Sequence, residues 1–207
     1  MPIRDLVIEK TPPEKRQKSC AGDKKRHLYE PAVMLAVADW MFDSGAQTVR
    51  MSPDGMHAKQ FDIRGCLETQ GFKQIDRWGH TNAGSRYTRH DHTLEVDFKP
   101  GQGDVVADVR EYRIWVETKG GFLNTKHAGQ MSKLRRGLYE AVGMLLNGSK
   151  THGVDRLIAA VPHHPETEKL SQQMAQRCQD TGIEIAWVFD KNIQLIAGSM
   201  DRQDRLL

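Results

Sequence analysis

Gly103-Asp104-Val105-Val106-Ala107, followed by Arg113-Ile114-Trp115-Val116-Glu117-Thr118-Lys119-Gly120-Gly121, is the stretch on which both fold and chemistry turn. It sets an acid at the start of one apolar strand. A second acid and a lysine stand two positions apart at the end of the next. Side chains alternate along a strand, so Glu117 and Lys119 point to one side and Thr118 to the other. Ile114 to Val116 reads as a buried strand that the Gly-Gly pair ends. A hairpin carrying Asp104 next to Glu117 brings two carboxylates and an ammonium to one rim. Mg²⁺ takes carboxylate oxygens, usually through one or two side chains, and keeps several waters. A nearby lysine can hold or help deprotonate a water, which is the equipment for metal-assisted phosphodiester hydrolysis.

Asp104, a gap of twelve residues and then Glu117-Thr118-Lys119 resembles the signature of the PD-(D/E)XK nuclease superfamily, the restriction-endonuclease-like proteins. The resemblance runs from about Leu28 to Val161 in element order and rests on a handful of residues. It implies a Mg²⁺-dependent DNA nuclease, with Mn²⁺ able to substitute. Asp104 and Glu117 would hold the metal with the Thr118 carbonyl as a further contact, and Lys119 would position the attacking water. Several members place a helix glutamate among the metal ligands, the position of Glu30 here. Many carry a polar residue on the helix after the lysine strand, which points to Gln130 as a catalytic residue that orients water or touches a phosphate. The chain departs from the pattern in having Gly103, not proline, before Asp104. Each residue also has a plainer reading: a cross-strand ladder for Asp104, Glu117 and Lys119, a macrodipole-favoured acid for Glu30, and a solvated helix residue for Gln130.

Composition sets outer limits. At 207 residues, 38% hydrophobic and 28% charged, the chain reads as a soluble domain with a full-sized core. A net charge of +3 and a pI near 8.7 permit a nucleic-acid partner without demanding one. Cys20, Cys66 and Cys178 are odd in number and far apart, which fits a reducing cytoplasm and offers no zinc cluster. No apolar run approaches the roughly eighteen residues that span a bilayer, so no membrane partner is expected. Residues 1–25, with Pro12-Pro13 and six lysines or arginines from Lys10 to Lys25, read as a basic, flexible arm in which Leu6-Val7-Ile8 could add an edge strand. Residues 26–198 read as one nuclease-like domain and 199–207 as a flexible tail. Many nucleases of this size act as homodimers, but no segment marks an interface.

Along the chain, a helix is predicted from Tyr29 to Asp43, with Pro31 in its first turn and Val33, Val37, Trp40 and Met41 as its apolar stripe. Ser52-Pro53-Asp54 opens a second helix through Phe61, Arg64 and Leu67, and a strand starts at Phe72. Residues 76–92 read as a long polar loop that interleaves Arg77, Arg86 and Arg89 with Trp78 and Tyr87. Such a loop combines phosphate-neutralising charge with stacking surfaces, making these five the predicted nucleic-acid contacts. Strands follow at Thr93–Phe98, Asp104–Val109 and Tyr112–Lys119, read as a meander. A helix from about Lys126 to Leu146, a strand Arg156–Val161, a helix Pro165–Asp180 and a strand Ile183–Phe189 complete the order. The class is α/β, a mixed central sheet with helices on both faces, as in a restriction-endonuclease-like core.

Two functions follow. One is a Mg²⁺-dependent nuclease, acting as an endonuclease on DNA. The other is a nucleic-acid-binding or assembly module whose nuclease-like core no longer cuts.

Overall fold

The computed structural model describes residues 7–10, 25–54, 61–78, 84–97, 103–147, 156–189 and 193–196. Among them are four helices, α1 (Glu30–Asp43), α2 (Ile63–Thr69), α3 (Ala128–Asn147) and α4 (Pro165–Asp180). The strands are β1 (Val7–Lys10), β2 (Lys25–Leu28), β3 (Thr48–Met51), β4 (Lys73–Arg77), β5 (Ser85–Arg89), β6 (His92–Val96), β7 (Val105–Val109), β8 (Tyr112–Thr118), β9 (Gly121–Phe122), β10 (Arg156–Pro162), β11 (Ile183–Val188) and β12 (Ile193–Ile196). Most of the expected arm, the centre of the expected loop and the tail 199–207 lie outside the described residues.

Nine strands form one mixed sheet in the order β12-β11-β10-β8-β7-β3-β6-β5-β4. β8, β10 and β11 are parallel neighbours, joined by α3 and α4 as crossovers. The fold is α/β, with helices on both faces. Alternation along β10 shows how: Ile158 and Ala160 join the cluster that contains α1, while Ala159 and Val161 join the one that contains α3 and α4. Within its layer α1 is buried on nearly every side, from Ala32 to Ala38 as well as Met41 and Phe42, rather than on one stripe. No helix among the described residues is long and apolar enough to cross a membrane.

Two expectations need correction. The expected meander is interrupted by β3, which pairs parallel with β6 and antiparallel with β7. Four residues, Thr-Val-Arg-Met, are too few for periodicity to reveal a strand that long-range pairing creates. The expected loop 76–92 is a pair of hairpins: β4 pairs with β5, and β5 with β6 through the two-residue turn His90-Asp91. His90 takes a φ of 54° there, the left-handed conformation such turns require. The edge strand expected around Val7-Ile8 is β1, which pairs antiparallel with β2.

A second, three-stranded sheet, β1-β2-β9, sits where β8 ends. Leu28 faces Gly121 and His27 faces Phe122. Continuing that antiparallel register two residues along brings Glu30, the first residue of α1, opposite Lys119. The same logic joins the main hairpin, where Val105 faces Val116, so the residue before β7, Asp104, falls opposite Glu117.

Candidate active site

Each acid of the expected pair is held by the strands in its own way. Asp104 sits at the bend before β7, and its backbone N–H donates to the Val116 carbonyl at 3.2 Å. Its Oδ2 accepts from the Thr118 backbone N–H at 2.7 Å and from the Thr118 hydroxyl at 2.9 Å. Thr118 is therefore not turned away from the acids. Buried itself, it fastens Asp104 across the edge of β8 with two donors.

Glu117 is 5% exposed. Its Oε1 accepts from the Trp115 indole N–H at 2.9 Å, while its Oε2 is buried without a hydrogen-bond partner. Burial, then the neighbouring charge of Asp104, pushes its carboxyl up to about 7; Glu30 adds to this, and the Trp115 bond and the Lys119 charge oppose it. These influences place Asp104, Glu30 and Lys119 within one electrostatic neighbourhood around Glu117.

Lys119 follows the last residue of β8. Its backbone N–H donates to the Ala160 carbonyl at 3.0 Å, and its Nζ lies 3.6 Å from Glu30 Oε2. Both groups are largely shielded from solvent. Two glycines allow this approach. A Cβ on Gly120 would come within 2.6 Å of the Glu30 backbone nitrogen, so only glycine lets the start of α1 sit against the end of β8. A Cβ on Gly137 would come within 3.3 Å of Lys119 Cβ, so α3 crosses close above the lysine.

Of the site residues expected from the sequence, Asp104, Glu117, Thr118, Lys119 and Glu30 come together. Glu30 meets Lys119 as an ion-pair partner. Among the described residues no group of three or more His, Cys, Asp or Glu side chains is gathered as a metal cluster. Gln130 does not join the acids. Its side-chain oxygen accepts from the Thr125 hydroxyl, whose backbone carbonyl pairs with His164 Nε2 at 2.9 Å, tying the starts of α3 and α4 together.

The expected nucleic-acid contacts spread over the β4–β5–β6 hairpins. Tyr87 is fully buried in the core, so it has no face to offer a base; its place on β5, inward by alternation, explains why. Arg89 pairs with Asp39 of α1 at 2.9 Å and lies over the Phe72 ring, a structural tie between sheet and helices. Trp78 is half-buried and donates from Nε1 to the Val96 carbonyl at 3.1 Å. Arg86 is more open, bonding Glu95 through Nε and Nη2 at 3.2 and 2.9 Å with its guanidinium near Trp78. Arg77, at the end of β4, is exposed.

Sequence reasoning missed Trp115 and the side chain of Thr118. The signal for Trp115 was present: it stands two residues before Glu117 on one strand, hence on the same face.

The donor set suits a hard divalent cation. A buried carboxylate with one unpartnered oxygen, next to a second carboxylate, is an arrangement that a cation would stabilise and that the Trp115 bond and the Lys119 charge only partly offset. No family model, curated protein or solved structure matches the chain.

Proposed function

We propose that this chain is a Mg²⁺-dependent nuclease that hydrolyses phosphodiester bonds in DNA, an endonuclease built on a restriction-endonuclease-like core. The observation that carries the reading is the juxtaposition of Asp104, Glu117 and Lys119 at the end of one hairpin, with Glu117 Oε2 buried and unpartnered. Asp104 and Glu117 would hold the cation. Bound there, a divalent cation supplies positive charge for the phosphorane-like transition state and acidifies water.

The chain's own residues do the rest. Thr118 keeps Asp104 in place through two hydrogen bonds. Lys119, one strand position beyond Thr118, orients the attacking water and stabilises the charge that develops on the phosphate. Glu30 restrains the lysine's long side chain through their ion pair, so the ammonium does not wander into solvent.

The test is cleavage of supercoiled plasmid with Mg²⁺ or Mn²⁺, with and without EDTA. The expected result is metal-dependent nicking or linearisation that EDTA stops and that Asp104→Ala lacks. DNA binding without cleavage, under either metal and on any substrate form, would overturn it in favour of a non-cleaving binding or assembly module.

A further inference from the structure

One large side chain at the edge of the candidate site belongs to neither acid nor lysine. Trp115 leaves β8 on the same face as Glu117. It is half-buried, packs against the α3–α4 cluster, and donates from Nε1 to Glu117 Oε1 at 2.9 Å. Its ring also lies against Gly103, where an added Cβ would stand 2.4 Å from Nε1 and 2.5 Å from Cε2. Gly103 immediately precedes Asp104 and has a φ of 77°. A single indole thus hydrogen-bonds one acid and packs on the residue before the other.

We propose that Trp115 is a positioning residue for a divalent-cation site on Asp104 and Glu117. Its N–H holds Oε1 and leaves Oε2 for the cation, and its ring fixes the backbone that presents Asp104. The inference rests on the metal reading above and goes beyond it. A glutamate carboxylate turns about its last torsion with little resistance. A donor on one oxygen fixes the plane and so determines which oxygen is offered. Thr118 does the same for Asp104 through Oδ2. Each acid therefore has one oxygen committed to a donor on β8.

This also accounts for the residue at 103. Proline is locked near a φ of about −65° and cannot adopt the positive φ found here, and any Cβ would collide with the indole. Glycine is what the tryptophan requires.

The experiment uses the full chain and Mn²⁺ alone, titrated by calorimetry. Trp115→Phe should bind Mn²⁺ roughly 10–100-fold more weakly than wild type, the usual cost of losing a partner that orients a metal ligand. Gly103→Ala, which crowds the indole and strains the backbone at a φ of 77° just before Asp104, should also weaken binding. If Gly103→Ala does not fold, Trp115→Phe still decides. Tb³⁺ gives a second readout. Tryptophan excitation should sensitise bound Tb³⁺ in wild type, Trp78→Phe and Trp187→Phe, and the signal should vanish in Trp115→Phe. Equal Mn²⁺ affinity in wild type and Trp115→Phe would overturn the inference and leave the metal reading standing. Absence of Mn²⁺ binding in wild type would overturn both.

Discussion

Glu184 and Glu117 are buried to nearly the same degree, 6% and 5% exposed, and the fold treats them in opposite ways. Glu184, on β11, meets Arg156 of β10 in a two-pronged pair, with Nε at 2.7 Å from Oε1 and Nη2 at 2.6 Å from Oε2. Both oxygens and the charge are answered within the chain. Glu117 has one neutral donor, an unpartnered second oxygen, and two acids nearby that oppose its ionisation. Burying a charge without a partner is costly. A sheet that supplies an arginine to one glutamate leaves the other short, which is the cost to stability that a cation on Asp104 and Glu117, as proposed, would offset.

Removing the two carboxylates at the candidate site should give the largest effect on activity. Glu117→Ala and Asp104→Ala should abolish plasmid cleavage while the far-ultraviolet spectrum stays native, since neither carboxylate belongs to the apolar core clusters. Lys119→Ala should lower the rate by roughly 10²–10⁴-fold with little change in DNA affinity measured with Ca²⁺. Lys119→Arg should not restore it, because guanidinium differs in reach and never gives up its proton. Undiminished cleavage in any of these would remove that residue from the site.

The other glutamate should show the reverse pattern. Arg156→Ala leaves Glu184 buried and alone, and should cost about 3–5 kcal/mol of stability in urea unfolding. Cleavage by the fraction that remains folded should be unchanged. A loss of under about 1 kcal/mol would mean that water reaches Glu184 as freely as it reaches a surface pair.

pH sharpens the contrast. Glu117 ionises near 7 in the folded chain against an ordinary value of 4.5, so the folded state holds that proton more tightly. Its contribution therefore makes stability fall as pH rises from about 4.5 to about 7, and levels above. The size is on the order of 3 kcal/mol at most. Glu117→Gln should flatten this component and leave the metal-free protein more stable than wild type at pH 8, though inactive. Mn²⁺ affinity of wild type should rise through the same window, because the proton must leave before the oxygen can bind. Identical unfolding curves for Glu117→Gln and wild type at pH 5 and pH 8 would remove the asymmetry between the two glutamates.

What was legible in the sequence follows the range of the forces involved. The helix Pro165–Asp180 was read to the residue, because Pro165 at its start is a local signal; His164 caps it through the Glu166 N–H. β8, β10 and β11 were read from continuous apolar runs. The Asp104–Glu117 juxtaposition was legible because it needs only one hairpin. β3 was not, since only its neighbours β6 and β7 make it a strand. Glu30 was suspected as a metal ligand, but its ion pair with Lys119 depends on the small sheet in which β2 meets β9. The polar run 76–92 misled because strands on an open sheet face carry arginine and threonine outward while burying Tyr87 inward. Composition alone cannot separate that alternation from a loop.

Two arginines on that strand give the smallest expected effects and a last contrast. Arg89 is shielded, paired with Asp39 across the α1 interface, whereas Arg86 is 42% exposed and paired with Glu95 at the sheet surface. Arg86→Ala should change stability by no more than about 1 kcal/mol, since exposed pairs contribute little. If DNA runs over this face, the variant should lower the slope of log affinity against log salt by about one, the signature of one lost phosphate contact. Arg89→Ala should instead lower the unfolding midpoint more than Arg86→Ala does, because it strands Asp39 and strips the guanidinium from Phe72. Its salt slope should match wild type. Equal salt slopes in wild type and Arg86→Ala would move the DNA path off the β4–β5–β6 face, and an unchanged midpoint in Arg89→Ala would end its role as the tie between sheet and α1.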